Sequence, residues 1–308
     1  MENINFNSSS TVIAVSDNVI VLYPPKHDNL ICTASQTVPI TCVALPDSLV
    51  FIDCGIYTDL VKKFRLDMEK KFDQETSHLF LTHSHYDHVL ALEAFADVSI
   101  VISESGIREI EMFLNMMKGK SAEEWMKQLR MDKEDADLCA KLNPILPNVG
   151  IKDKYKITSD DVELFFEVIG GHSHDSSFIY IPKYGTLCAG DNLVECYHPR
   201  PGIPDDALRI LQYWESLDID KVVPGHGKVV SKEYITKVRM YYEDLLSALK
   251  NLIAQSLTLK KVFTDPSIPE YFGKDQKDWI PGAWTDSNWI HETIRIWYKH
   301  LRRVARNK

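Results

Sequence analysis

The run Thr82-His83-Ser84-His85-Tyr86-Asp87-His88 narrows what this chain can fold into more than any other stretch. Four side chains able to bind metal fall within six residues, directly after an apolar Leu79-Phe80-Leu81 that reads as a buried strand. Such a strand delivers the cluster rigidly to one edge of a sheet. Neutral imidazole and ionised carboxylate are ligands that borderline and hard divalent metals accept. One ion rarely takes four ligands from so short a stretch, because the backbone cannot wrap it. Two neighbouring ions can, with His83 and His85 facing one and Asp87 and His88 facing the other. The run reads as half of a two-metal hydrolytic site.

At 308 residues the chain can bury a sizeable core, as one large domain or one domain with an appendage. Its 44% hydrophobic and 26% charged content is that of an ordinary globular protein. A net charge of −9 argues against a polyanion gripped along a broad basic surface, which lowers a nucleic-acid partner. The first ten residues are polar and show no secretory signal, and no apolar run reaches membrane-spanning length. Six scattered cysteines lack paired spacing and read as reduced, buried residues. A cytoplasmic protein is the expectation.

Strands are predicted at residues 12–15, 19–22, 41–44 and 49–52, a helix at 58–72, then the strand carrying the cluster and another at 98–102. Residues 103–142 read as helical, with Ser121 and Glu124 in a capping-box pattern. Strands resume at 164–169, 178–181 and 186–188. Alternating blocks of strands and helices argue for a layered α/β fold. Beyond Gly227 a long amphipathic helix opens at Ser231, and a last helix begins near Asp286 with Trp289, Thr293, Trp297 and Leu301 on one stripe. The expected division is a main domain over residues 1–230 and a helical appendage, 231–308, packed on it.

Three further groups follow strands or sit at glycine-rich turns: Gly170-Gly171-His172-Ser173-His174, Ala189-Gly190-Asp191 and Pro224-Gly225-His226-Gly227. Singly each is weak, since a lone histidine after a strand is commonly a hydrogen-bonded loop residue. Together with the first cluster they supply what two metals need. His83, His85 and His172 can hold one ion and Asp87, His88 and His226 the other, with Asp191 bridging through its two oxygens. In such sites the ions lie ~3.5–4 Å apart and lower the pKa of a shared water to roughly 7.

Thr-His-Ser-His-Tyr-Asp-His, Gly-Gly-His-Ser, Ala-Gly-Asp and Pro-Gly-His-Gly, in this order and separation, resemble the metallo-β-lactamase superfamily of metal-dependent hydrolases across residues 12–230. The resemblance implies a four-layered αβ/βα sandwich with the metals at one edge between two sheets, and it implies the same seven ligands. Asp53 matches a family aspartate that braces the metal loops from behind. His85 stands where di-iron oxygen reductases of the superfamily carry glutamate, and Asp191 where true zinc β-lactamases carry cysteine. The set looks more like the hydroxyacylglutathione hydrolases, lactonases and phosphodiesterases. With nitrogen and oxygen ligands alone, zinc is favoured and manganese or iron also fit.

The expected reaction is attack by a hydroxide shared between two ions on an ester, thioester or lactone of a small-molecule substrate. A phosphodiesterase or nuclease is the alternative, and a catalytically weak ligand-sensing protein a rival of another class. Asp87 has a second candidate role as proton carrier to the leaving group. Tyr197 and His198 are candidates to hold an oxyanion, Arg200 a substrate carboxylate, and His174 a leaving group or substrate, each beside the plainer reading of an ordinary loop residue. Tyr86 can line the pocket or pack beneath the loop. The Met-rich segment 103–142 reads as core filler first and as a lid second. The tryptophan-rich tail suits either a roof over the pocket or a homodimer interface.

Overall fold

The computed structural model describes residues 10–24, 37–129, 131, 133–142, 145–272 and 286–306. Cys32, Trp279 and Trp284 lie outside the described residues.

Two sheets arise from the alternation of apolar side chains along strands. The first joins, in spatial order, β1 (Thr11–Ala14), β2 (Val19–Tyr23), β3 (Ile40–Ala44), β4 (Leu49–Ile52), β5 (Thr76–Phe80), β6 (Ser99–Ser103) and β7 (Val149–Ile151). The second runs β8 (Lys154–Ser159), β9 (Val162–Val168), β10 (Ser177–Ile181), β11 (Thr186–Val194), β12 (Lys221–His226) and β13 (Val230–Ser231). Val19, Val21, Val50 and Ile52 from the first sheet share one buried cluster with Leu164, Phe166, Ile179 and Ile181 from the second. Their neighbours one residue along, Ile20, Leu22 and Phe51, belong to a different cluster on the outer face. Period-two alternation therefore builds a double-faced sheet whose inner side meets the other sheet.

Helices cover both outer faces. On the first sheet, α1 (Thr58–Phe72) buries Val61, Phe64 and Met68, and the Phe64 ring meets Phe51 edge-on at 5.7 Å. The short α2 (Tyr86–Val89) follows the histidine run, and α3 (Glu104–Met117) inserts Ile110 into the same cluster. On the second sheet, α6 (Pro204–Glu215) and α7 (Lys232–Ala254) pack Ile210, Trp214, Ile235 and Leu245 against Phe178, Leu187 and Val222. After the short α8 (Leu259–Val262), the last helix, α9 (Asp286–Arg306), adds Ile294 and Trp297 to that cluster. The result is the expected α/β sandwich of four layers.

The helical segment 103–142 resolves into α3, α4 (Ala122–Leu129) and α5 (Lys133–Cys139). The capping box forms: Glu124 Oε2 accepts from the Ser121 amide at 2.8 Å, and Ser121 Oγ accepts from the Glu124 amide at 3.4 Å. Ser121 satisfies α4 in this way, but at the start of α7 Ser231 has an extended backbone and no side-chain capping bond. Met117 and Met131 fill a cluster around Trp125, while Met112 and Met116 are exposed. β7 and β8 depart from expectation because their signals are faint, and α6 is an addition whose Pro204 start and stripe of Ala207, Ile210, Leu211 and Trp214 were legible in the sequence. β8 alternates Lys154, Lys156 and Thr158 with Tyr155 and Ile157, a polar pattern suited to the edge strand it becomes. β11 continues to Val194, beyond the predicted end at 188, because it pairs with β12 across two register shifts, the second of which, between Gly190 and Val194, holds Asp191.

The five described cysteines are buried. No helix among the described residues is long and apolar enough to cross a membrane.

Candidate metal centre

Four loops meet at one end of the sandwich. β5 releases the chain at Leu81, and the run His83 to His88 turns into α2. The β9–β10 connection brings His172, the β11 bulge brings Asp191, and the end of β12 brings His226. Glycine permits the close approach at Gly225, where an added Cβ would fall 2.1 Å from Asp191 Oδ1 and 2.6 Å from the Gly190 carbonyl carbon. At Gly171, with φ +103°, a Cβ would fall 2.2 Å from Asn192 Oδ1.

All seven sequence-predicted ligands converge. His83, His85, His172 and Asp191 form one group and Asp87, His88 and His226 another, and within each group the ligand atoms lie no more than 4.8 Å apart. Asp191 faces both. Its Oδ2 lies 3.8 Å from His83 Nε2 and 3.5 Å from His172 Nε2. Its Oδ1 lies 3.2 Å from His88 Nε2 and 3.3 Å from His226 Nε2, and His226 Nε2 lies 3.5 Å from Asp87 Oδ2.

Hydrogen bonds behind the cluster set which ring nitrogen faces it. Asp53 ends β4 with φ +55° and is buried. Its Oδ1 accepts from the Thr82 amide and its Oδ2 from the Thr82 hydroxyl, each at 2.8 Å. The same Oδ2 meets His88 Nδ1 at 2.8 Å. Because the Thr82 hydroxyl donates to Asp53, its oxygen is left to accept from His83 Nδ1 at 3.1 Å. The Arg200 carbonyl accepts from His172 Nδ1 at 3.0 Å. Each bond places a hydrogen on Nδ1 and points Nε2 into the cluster. His85 is turned the other way, with Nδ1 3.1 Å from His172 Nε2. Thr37 Oγ1 lies 2.8 Å from His226 Nδ1.

The electrostatics favour ligands that are ready to bind. Burial pushes His83 well below its ordinary pKa, with His88 and His85 adding to the effect. Burial also lowers His85, and lowers His172 to about 4. For Asp191 burial pulls upward, but His226, His88, His172 and His83 outweigh it and hold the carboxyl well below the usual range. For His88 burial pulls downward, and Asp191 and Asp53 together overcome it and raise the imidazole well above its ordinary pKa.

The residues present fit a pair of divalent ions. His83 Nε2 and Asp191 Oδ1 are buried and find no hydrogen-bond partner among the described residues. Buried polar atoms of this kind are costly unless something binds them. Six nitrogen or oxygen ligands plus one two-faced carboxylate meet the needs of two ions.

A cavity of about 190 Å³ opens over the cluster, lined by Tyr86, Val194, Tyr197, Arg200 and Trp289 together with His85, Asp87, His172, Asp191 and His226 of the ligand candidates. Tyr197 is buried, its ring 5.1 Å from His226 and stacked on Trp289 at 6.3 Å. Trp289, on the first turn of α9, thus reaches the pocket, the roof arrangement among the two uses expected of the tail. Two other candidates lie elsewhere. His198 is buried beneath the pocket wall, its Nε2 2.8 Å from the Tyr241 hydroxyl. His174 is largely exposed, with Nε2 3.6 Å from Glu109. His198 is drawn inward by the aromatic cluster of α7, and His174 points outward because His172 takes the inward side of the same turn.

Sequence reasoning passes over several supports. Asp175 is buried and accepts from the Ser84 amide at 2.8 Å, tying the β9–β10 loop to the histidine run. Asn192 Oδ1 accepts from the His172 amide at 2.7 Å while its Nδ2 donates to the Gly170 carbonyl. Adjacency to ligand residues is the available signal for Asp175 and Asn192. Thr37 carries none, being far from every motif.

A family profile described as the metallo-beta-lactamase superfamily matches residues 38–226. A metallo-beta-lactamase type 2 of Bacillus sp. (strain 170) is 25% identical over 216 residues, 67% of this chain and 74% of that protein. Among solved structures, the stereoselective inverting sec-alkylsulfatase Pisa1 from Pseudomonas sp. superposes with a TM-score of 0.63 at 17% identity, over 95% of this chain and 50% of the other. The chain thus spans half the length of that sulfatase. A metallo-beta-lactamase from Pontibacter korlensis gives a TM-score of 0.54 at 17% identity, over 77% of this chain and 100% of the other. The chain belongs to the metallo-beta-lactamase superfamily of metal-dependent hydrolases.

Proposed function

We propose that the chain hydrolyses an ester, thioester or lactone of a small molecule at a site holding two divalent ions, zinc before manganese or iron. The observation that carries this reading is Asp191, whose two oxygens face two separate groups of imidazole and carboxylate atoms. His83, His85 and His172 would hold one ion, Asp87, His88 and His226 the other, and Asp191 would span both. Two such ions supply a water acidified to a pKa of roughly 7 and positive charge for a developing oxyanion.

The protein's own groups do the rest. Asp53, Thr82 and the Arg200 carbonyl hold three rings in the tautomer that presents Nε2. Asp87 sits on the cavity wall, where its carboxylate can take a proton and pass it to the leaving group. Burial pushes the Tyr197 phenol well above its ordinary range and keeps it protonated, so it has a hydrogen to donate to an oxyanion or leaving group. Val194, Tyr197 and Trp289 form a largely apolar wall that excludes bulk water. Residues 1–230 would carry the hydrolase domain and 231–308 the helical appendage that lends it Trp289, in a cytoplasmic protein.

Metal content by elemental mass spectrometry and an activity panel test the reading. The panel contains thioester, lactone, aryl ester, bis-aryl phosphate, β-lactam and secondary alkyl sulfate substrates, the last two prompted by the relatives. Carboxylic esters are expected to be turned over by protein carrying two ions. Asp191→Ala should lose at least one ion and all turnover. Unchanged stoichiometry in that variant contradicts the bridging role, and turnover of the phosphate alone contradicts the ester reading.

A further inference from the structure

The Arg200 carbonyl supports His172, and the sequence makes the Arg200 guanidinium a candidate for a substrate carboxylate, a role its surroundings can be weighed for. Among the residues lining the cavity it is the permanent cation. Its backbone is fixed relative to the ligand groups by the bond from His172 Nδ1. Its guanidinium lies 4.1 Å over the Trp289 ring, and its Nε stands 3.4 Å from Glu292 Oε2. That Nε is buried and makes no hydrogen bond among the described residues. The ion pair is therefore loose, between side chains 37% and 36% exposed, a setting in which such pairs contribute little. Trp289 and Glu292 both belong to α9, which is anchored to the same loop: Trp297 Nε1 donates to the Gly202 carbonyl at 3.0 Å.

We propose that the substrate carries a carboxylate which Arg200 binds in place of Glu292, making Arg200 the residue that sets substrate class. The proposal rests on the hydrolytic reading above and names its substrates: small esters, thioesters or lactones with an anionic arm. A guanidinium held over an indole can still offer an edge to a bidentate partner, and a carboxylate matches that fork. The exchange of one carboxylate for another keeps the cation paired in both states. A cavity of about 190 Å³ favours a small substrate over a drug-sized one. The net charge of −9 would otherwise disfavour anions, so a local cation is what admits them.

Matched substrates differing in charge alone provide the test. 3-Acetoxybenzoate and 3-acetoxybenzamide place the anion on the leaving group, and the 4-nitrophenyl esters of adipic acid and of its monoamide place it on the acyl group. In one of the two pairs the charged member is expected to have the higher kcat/KM. Arg200→Gln should lower that charged-to-neutral ratio by about tenfold or more, chiefly through KM. Glu292→Gln should raise it, because the competing carboxylate is gone. Isophthalate and isophthalamide, titrated calorimetrically into metal-loaded protein, give the same comparison without turnover. Wild type should bind the dianion more tightly, and Arg200→Gln should lose that difference while retaining its metal. No charge preference in wild type, or an Arg200→Gln variant that binds isophthalate as wild type does, overturns the proposal. Absence of turnover on all four esters would instead strike the hydrolytic reading, leaving calorimetry to decide on Arg200.

Discussion

Asp53→Asn isolates the contribution of one oxygen to metal affinity. Asp53 accepts from the Thr82 amide, the Thr82 hydroxyl and His88 Nδ1, each at 2.8 Å. Asparagine keeps the shape and tolerates the left-handed φ of +55°, so the backbone stays in place. It cannot keep both N–H partners. With its oxygen toward the Thr82 amide, its NH₂ faces His88 Nδ1, and the imidazole must move its hydrogen to Nε2, where it blocks a cation. With the amide reversed, the Thr82 N–H loses its acceptor, which costs the fold about 1–3 kcal/mol. Loss of such a supporting bond behind a ligand typically lowers metal affinity by about 10–100-fold, or roughly 1.4–2.8 kcal/mol. Competition against a chromophoric zinc chelator reads the affinity, and calorimetry of the stripped protein reads the fold. Asp53→Ala should go further, leaving both N–H groups unpaired and adding about 1–2 kcal/mol for a non-glycine, non-Asx residue in the left-handed region. If Asp53→Asn binds zinc as wild type does, the tautomer argument is wrong.

Gly225→Ala would set a methyl group 2.1 Å from Asp191 Oδ1, so we expect displacement of that carboxylate, lost metal and at least a hundredfold lower turnover, while the helical content by circular dichroism stays the same. Trp297 is fully buried and meets Tyr242 edge-on at 5.5 Å, so Trp297→Ala should cost about 3–5 kcal/mol, seen as a fall in Tm of several degrees; an unchanged Tm would show that α9 is not held by this ring. Burial lowers His198 to about 3, so the unfolded chain binds a proton there before the folded chain does. Its contribution is whole above pH 6.5 and declines by about 1.4 kcal/mol for each pH unit below that, down to about 3. His198→Gln, which keeps a polar contact to the Tyr241 hydroxyl, should flatten the acid limb of stability between pH 4 and 6.5; an equally steep limb would assign the loss to other groups.

How much of this could be read before folding depends on the range of the signal. The strands flanking the histidine run and the helix at 58–72 follow from local alternation and helical spacing; the helix and the strand after the run match within a residue, and the strand before it starts three residues earlier, at Thr76. The polar edge strand β8 needed the second sheet to select it, whereas α6 was legible and missed: Pro204 opens it and Ala207, Ile210, Leu211 and Trp214 form a helical stripe. Motif order singled out the seven residues that converge, because metal ligands are chosen by chemistry and each stands beside a strand end or a glycine turn. The same reasoning set His172 apart from His174 as a ligand but not that His174 faces solvent, since the direction a loop residue faces is decided by the tertiary structure.

Residue types alone determine that imidazole and carboxylate groups suited to two cations occur here, and that alternating apolar runs will stack two sheets between helices. Folding alone decides which nitrogen of each ring looks inward, that Asp191 turns an oxygen to each group, and that α9 brings Trp289 and Glu292 to Arg200. The reason is range: composition and periodicity act over a few residues, whereas Thr37 and His226 are 189 positions apart and meet only when both sheets are in place.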